Sequence, residues 1–218
     1  MKRLLIIHTG GTISMSQDQT NKVITNEENP ISQHQNIISQ YAEVDEINLL
    51  NIPSPHMTIS NVVRLRDEII TYSKENIYDG FVITHGTDTL EETAYYLELT
   101  LDINIPVVVT GAMRSSNEIG ADGLANLRSS LVVAVDDESR DKGVLVVMND
   151  EVHTATYVTK THTTNVATFQ TPTFGPIGLV SKNNVIYFQK LIKEEHYKVN
   201  TTEKKVYLLK AYAGMDEK

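Results

Sequence analysis

Residues 4–12, LLIIHTGGT, decide the fold, because an apolar, β-branched run is followed at once by a threonine-glycine cluster. Residues 81–89, FVITHGTDT, repeat this arrangement later in the chain. Such runs are typical of strands buried on both faces of a parallel sheet. Ligands of open α/β sheets bind beyond the carboxyl ends of the strands, so two such ends bring separate hydroxyl groups towards one crevice. The pattern therefore predicts a site whose chemistry is carried by threonine hydroxyl groups.

Strand-like runs alternate with helical patterns, which indicates an α/β fold: a mostly parallel open sheet with helices on both faces. The runs are residues 4–7, 47–52, 81–84, 107–110 and 144–148. Apolar stripes at helical spacing follow three of them, over residues 58–73, 90–101 and 124–134.

The start of the second of these helices is marked by a candidate capping box, Thr89 with Glu92 three residues on. The second threonine cluster then lies at a helix N-terminus. Unsatisfied N–H groups and a positive helix dipole at that place favour an oxyanion or a substrate carboxylate.

The chain divides by composition into one main domain and a short remainder. Residues 1–189 form the predicted main domain, and residues 190–205, rich in Lys, Glu, Asn and Thr, are typical of a linker. Residues 206–209 predict a further strand, which places 206–218 at the start of a smaller carboxyl-terminal α/β domain, with the sequence cut inside it.

The composition narrows the possible partners. A formal net charge of -9 without a long basic run disfavours nucleic acid and anionic membranes, and favours a small polar substrate. The absence of cysteine excludes disulfides, thiolate nucleophiles and cysteine-ligated zinc. No apolar run reaches the length of an export signal or a membrane span, so a cytoplasmic location is the default expectation.

Four side chains are candidates for the chemistry, and each has a structural alternative. Thr12 follows two glycines that permit a tight turn, and it is either a nucleophile or part of a structural or phosphate-binding turn. Thr87 and Asp88 are either helix caps or members of the same crevice. Lys160 is the lysine that a later polar segment would supply to that crevice, with Asp88 to orient it.

Metal and nucleotide chemistry are both disfavoured by the motifs. The seven histidines show no His-x-x-x-His or Glu-x-x-His spacing, so we expect no metal site. The first threonine cluster lacks the third glycine of a dinucleotide fingerprint and the Gly-Lys-Ser/Thr of a P-loop, so we expect no cofactor.

At these residues the chain resembles the bacterial-type L-asparaginases, the asparaginase/glutaminase amidohydrolases. The resemblance rests on five blocks in the same order: residues 7–13 (IHTGGTI), 83–94 (ITHGTDTLEETA), 110–114 (TGAMR), 121–123 (ADG) and 158–161 (VTKT). It implies that Thr12 attacks the side-chain amide of L-asparagine, giving an acyl-enzyme and ammonia, and that Thr87, Asp88 and Lys160 form the base-like group.

The resemblance also implies a set of substrate contacts. Backbone N–H groups near Gly11 and Thr87 would face the oxyanion, Ser54 would bind the α-carboxylate and Asp88 the α-ammonium. Pro55 occupies the neighbouring substrate position, where many relatives have glutamine or another polar residue, so that one contact is lost. L-glutamine is therefore an alternative substrate that the residues leave open.

Two further family properties bear on activity. The segment 14–30 corresponds to the mobile lid, yet it lacks the aromatic residue that relatives bring to the nucleophile. Family members assemble as homodimers or homotetramers in which a neighbour's carboxyl-terminal domain completes each active site. We therefore expect the 218-residue chain alone to have impaired activity.

Two other functions compete with an asparaginase. The first is the amidase subunit of a tRNA-dependent amidotransferase, which hands ammonia to a partner and usually carries an additional amino-terminal domain. The second, from another class, is a non-catalytic domain that binds small ligands.

Overall fold

The computed structural model describes residues 1–20, 22–26, 30, 34–191, 195–199, 202 and 204–216. Its main sheet has eight strands in the order β12-β11-β8-β7-β6-β5-β1-β4. In chain order these strands are β1 (Arg3–Gly10), β4 (Glu43–Ile52), β5 (Gly80–Thr84), β6 (Val107–Thr110), β7 (Val144–Met148), β8 (Glu151–Thr154), β11 (Gly178–Ser181) and β12 (Asn184–Tyr187). Two two-stranded ribbons lie apart from it: β2 (Met15–Gln17) with β3 (Val23–Thr25), and β9 (Thr159–Lys160) with β10 (Phe169–Gln170).

Five neighbouring strands, β4, β1, β5, β6 and β7, run parallel, and the remaining three extend the sheet antiparallel. The change of direction occurs at Asn149 and Asp150, which both have positive φ values, 53° and 62°. Positive φ at both central residues is the requirement of a type I′ hairpin, and Asn and Asp tolerate it. The predicted mostly parallel sheet is confirmed.

Helices cover both faces of the sheet, as predicted. They are α1 (Gln35–Ile38), α2 (Ile59–Lys74), α3 (Leu90–Thr100) and α4 (Gly123–Val135). Side chains of β1 alternate between two cores: Leu4 and Ile6 join α1 and α4 on one face, whereas Leu5 and Ile7 join α2 and α3 on the other. This double burial explains why the strand is a continuous apolar run.

The strand order places a topological switch point at β1. The connection from β1 to β4 contains α1 and crosses one face, whereas those from β4 to β5 and from β5 to β6 contain α2 and α3 and cross the other. Loops that leave neighbouring strands towards opposite faces open a crevice between them. The crevice therefore lies beyond the carboxyl ends of β4, β1 and β5.

Two local predictions are wrong. Residues 206–209 form no strand in the described part of the chain, and Val206 and Leu208 are 91% and 98% exposed. A strand needs a hydrogen-bonding neighbour, and no ladder is recorded for these residues. The division into 1–189, 190–205 and 206–218 stays a prediction. The predicted capping box is also absent, because the Thr89 hydroxyl donates to the Ser54 carbonyl (2.9 Å) rather than capping α3.

Candidate active site

The loops after β1, β4 and β5 pack backbone against backbone. A Cβ atom on Gly11 would lie 2.3 Å from both the Cα and the N of Gly86. One on Gly86 would lie 2.7 Å from the Cβ and Oγ of Ser54. Only glycine permits such an approach, and Gly11 also has a positive φ of 85°. Thr12 and Thr87 directly follow these two glycines, so both threonine-glycine clusters lie at one crevice, as the sequence predicts.

Lys160 joins the second cluster from the ribbon β9–β10. Its Nζ lies 2.9 Å from Thr87 Oγ1 and 2.6 Å from Asp88 Oδ1. The lysine side chain is 15% exposed and that of Asp88 is 59% exposed. The ammonium thus donates to a buried hydroxyl and to a carboxylate that faces the solvent. The structure brings together the threonine, lysine and aspartate that the sequence analysis selected.

Ser54 connects the β4 loop to the second cluster. The side chain is buried, and its Oγ accepts a hydrogen bond from the Asp88 N–H at 3.1 Å. Because a serine hydroxyl that accepts can still donate, its proton remains available to a ligand oxygen. Pro55, the next residue, is exposed and belongs to the short 3-10 turn Ser54–His56, and its backbone carries no N–H donor.

Two backbone N–H groups beside the crevice are engaged within the protein. The Gly11 N–H donates to the Ile52 carbonyl at 3.2 Å, which continues the contact between β1 and β4 beyond the irregularity near Gly10. The Asp88 N–H donates to Ser54 Oγ. The oxyanion donors near Gly11 and Thr87 that the family resemblance implies stay a prediction.

A buried histidine shapes the turn that carries Thr87. His85 Nδ1 lies 2.8 Å from the Gly86 carbonyl, and Nε2 lies 2.9 Å from Thr93 Oγ1 in α3. A carbonyl can only accept, so Nδ1 carries the proton and Nε2 accepts from the threonine. Burial lowers the pKa of His85 to about 4, which keeps the imidazole neutral at physiological pH.

The loop after β6 supports the same turn. A Cβ on Gly111 would meet the His85 carbonyl oxygen at 2.5 Å and Thr87 Cγ2 at 3.2 Å. Asp122 holds this loop, since its carboxylate accepts from the N–H groups of Met113 and Arg114 at 2.9 to 3.1 Å. The sequence analysis gave Asp122 no role, although an acidic residue directly before α4 was a visible signal.

Within segment 14–30, for which the resemblance predicts a lid, strands β2 and β3 form a hairpin that contacts the loop over residues 115–118. Gln17 N donates to Asn117 Oδ1 at 2.7 Å, and Asn117 Nδ2 donates to Gln17 O at 2.8 Å. Ser116 N donates to Met15 O at 3.0 Å. Residues 21, 27–29 and 31–33 lie outside the described part of the chain.

Among the described residues, no group of three or more histidine, aspartate or glutamate side chains is placed to hold a metal ion. His8 and His153 lie within the sheet instead, each beside a threonine hydroxyl, Thr84 or Thr171, at 2.8 and 3.0 Å.

Burial of two histidines predicts a pH-dependent stability. The pKa values of His85 and His153 fall from 6.5 to about 4 through burial, so between these values the unfolded chain binds protons that the folded chain does not. The stabilisation is complete above pH 6.5 and is lost as the pH falls towards 4, by up to about 3 kcal/mol for each histidine. Urea unfolding at pH 7.5, 5.5 and 4.5 measures the loss.

The variant His153→Asn should flatten this dependence, because asparagine presents an amide near the position of Nδ1 but does not titrate. Exposed His56, replaced in the same way, serves as the matched control. A stability of His153→Asn that declines as steeply as that of the parent chain would contradict the assignment.

The fold and the cluster define an α/β protein with threonine, lysine and aspartate side chains at the switch point of its sheet. Residues 3–193 match the asparaginase family model, described as Asparaginase, N-terminal. The chain therefore belongs to the asparaginase family, which confirms the resemblance drawn from the five sequence blocks.

Named relatives agree with this assignment. The chain is 32% identical over 218 residues to the L-asparaginase of Bacillus licheniformis, covering 100% of this chain and 68% of the relative. It is 41% identical over 195 residues to L-asparaginase 2 of Escherichia coli (strain K12), covering 86% and 54%. A crystal structure of a probable cytoplasmic L-asparaginase from Campylobacter jejuni superposes with a TM-score of 0.79 at 37% identity, covering 89% of this chain and 59% of that one. The chain thus spans about half to two thirds of the relatives' length.

Proposed function

We propose that this chain carries the principal catalytic residues of an L-asparaginase, which converts L-asparagine and water to L-aspartate and ammonia. The observation that carries the proposal is the contact of Lys160 with Thr87 and Asp88, in a loop whose Gly86 packs on Gly11 beside Thr12. A hydroxyl nucleophile, a base-like hydroxyl and amine, and an orienting carboxylate can together perform acyl transfer through an ester.

In this proposal the reaction has two halves. Thr12 Oγ attacks the amide carbonyl carbon, and its proton passes to the amide nitrogen. The tetrahedral adduct then collapses as the C–N bond breaks and the protonated nitrogen leaves as ammonia. Water then attacks the threonine ester, and its proton passes through the Thr87 hydroxyl to the Lys160 side chain in its unprotonated amine form. As the ester C–O bond breaks, the same proton returns to Thr12 Oγ, which restores the hydroxyl and releases aspartate.

Substrate recognition follows from the groups at the rim of the crevice. The Ser54 hydroxyl, which accepts from Asp88 N–H, donates its own proton to the α-carboxylate. The exposed Asp88 carboxylate has room for the α-ammonium beside its contact with Lys160. Pro55 offers the substrate no hydrogen-bond donor, so other residues determine the preference between asparagine and glutamine.

The names of the relatives support hydrolysis of asparagine, and no observation favours an amidotransferase subunit or a non-catalytic binding domain. A homodimer or homotetramer is part of the proposal, as is the impaired activity of the 218 residues alone. No helix in the described part of the chain is long and apolar enough to cross a membrane. A cytoplasmic location is proposed from the description of the Campylobacter jejuni protein.

Ammonia release tests the proposal. The 218-residue chain and the full-length protein are assayed separately with L-asparagine and L-glutamine, without tRNA or a partner, and the second product, aspartate or glutamate respectively, is measured as well. We expect aspartate and ammonia in equal amounts from the full-length protein and a much lower rate from the 218 residues. Equal rates of ammonia release from the two chains would refute the expected impairment of the 218 residues. No ammonia release from either chain would refute the proposed asparaginase activity.

A further inference from the structure

A glutamate at the start of α3 holds the backbone of the catalytic lysine. Glu91 is the second residue of that helix and is partly buried. One carboxylate oxygen, Oε1, accepts from the Thr159 hydroxyl at 3.2 Å, and the other, Oε2, accepts from the Lys160 N–H. A single carboxylate thus binds both residues of β9.

Strand β9 is short and lies outside the main sheet. It consists of two residues and pairs with β10, through Lys160 with Phe169 and Thr159 with Gln170, and the preceding residue Val158 is buried in the apolar core. So short a ladder defines a strand's position weakly. Hydrogen bonds to a charged carboxylate are stronger than neutral ones, so the two bonds to Glu91 weigh heavily here.

The same helix follows the residues that Lys160 contacts. Thr87 and Asp88 lie just before α3, and the lysine Nζ reaches them at 2.9 and 2.6 Å. Through Glu91, the backbone of Lys160 is attached to α3. The two groups that its Nζ contacts, Thr87 and Asp88, directly precede the same helix. A displacement of the ribbon would change both distances together.

We propose that Glu91 is a positioning residue that sets the placement of Lys160 against Thr87 and Asp88. The inference rests on the proposed function, since the lysine acts in that reaction. The structural alternative is that an acid in the first turn only stabilises the helix dipole. Glu92, an acid in the same turn with an exposed side chain, separates the two roles.

The test compares Glu91→Ala, Glu91→Gln and the matched control Glu92→Ala in the full-length protein. A displacement of about 1 Å in a catalytic group can cost about 100-fold in rate. We expect Glu91→Ala to lower kcat by about 10- to 100-fold with KM changed less than about threefold. Glu91→Gln, which keeps one oxygen acceptor, should recover part of the rate, and Glu92→Ala should stay within about twofold of the parent.

Two further measurements test the hydrogen bonds between Glu91 and strand β9 directly. Amide hydrogen exchange at Lys160 should accelerate in Glu91→Ala and stay unchanged in Glu92→Ala. Thr159→Val should lower kcat by itself but cost nothing more when combined with Glu91→Ala, because its hydrogen-bond partner is already gone.

The outcomes separate this inference from the proposed function. A parent protein that releases no ammonia would refute the function, while the exchange of the Lys160 amide would still report whether Glu91 holds β9. An active parent whose kcat survives Glu91→Ala would overturn the positioning role. The same conclusion would follow if Glu92→Ala lost as much activity, since any acid in the turn would then serve.

Discussion

Replacing Thr12 with alanine is expected to abolish amide hydrolysis while the protein stays folded. Thr12 begins the 3-10 turn Thr12–Ser14 and is only partly buried, so its hydroxyl is not part of either apolar core. Loss of a nucleophile removes the acyl-enzyme route altogether, whereas the substrate contacts proposed for Ser54 and Asp88 remain. We expect kcat to fall by at least about 1,000-fold and the dissociation constant for L-aspartate to change little.

Serine and a distant threonine provide the controls for this variant. Thr12→Ser keeps a hydroxyl and should retain measurable turnover, while Thr71→Ala removes an exposed hydroxyl that donates to the Asp67 carbonyl within α2. Steady-state ammonia release gives kcat, calorimetry gives aspartate binding, and mass spectrometry with a slow substrate tests for an acyl adduct on Thr12. Turnover by Thr12→Ala above about a tenth of the parent rate would reject the nucleophile.

The general plan of this protein is readable in its sequence because apolar strand runs and glycine-rich strand ends are local signals. The runs at 4–7 and 81–84 belong to strands β1 and β5, and the threonine clusters lie at their carboxyl ends. Parallel strands place such ends at one edge of the sheet, so their convergence follows from topology.

The contacts that complete the site depend on pairings that local patterns do not contain. Thr89 and Glu92 have the spacing of a capping box, yet the Thr89 hydroxyl turns to the Ser54 carbonyl, which tertiary packing brings alongside. The Glu91 carboxylate accepts hydrogen bonds from Thr159 and Lys160, which lie 68 and 69 positions further along the chain. Neither partner is visible until the order of strands and the course of the β9–β10 ribbon are known.

Residues 206–209 show the opposite case, in which a local signal finds no partner. Their apolar sequence predicts a strand, but the side chains are exposed and the residues pair with no strand in the described part of the chain. Strand propensity expresses how well a residue fits a pleated, half-buried surface, so it is realised only where such a surface exists.

The Gly11→Ala variant should disrupt both the stability of the protein and its activity. With φ 85° and ψ 176°, Gly11 occupies a region that is essentially restricted to glycine and costs other residues about 1 to 3 kcal/mol. The added methyl would also meet the backbone of Gly86 at 2.3 Å, where no flexible side chain can move aside. We expect a loss of at least about 4 kcal/mol in the free energy of unfolding.

Gly175→Ala is the matched control, since this glycine also has a positive φ, 72°, but a Cβ there would meet nothing within 4 Å. It should lose only about 1 kcal/mol, the backbone cost alone. Urea unfolding measures both variants, and ammonia release under conditions where Gly11→Ala is still folded should fall at least about 100-fold. The close approach of the two loops brings the residues that follow the glycines, Thr12 and Thr87, to one crevice. Equal losses in the two variants would therefore mean that backbone conformation, and not the contact of Gly11 with Gly86, governs the site.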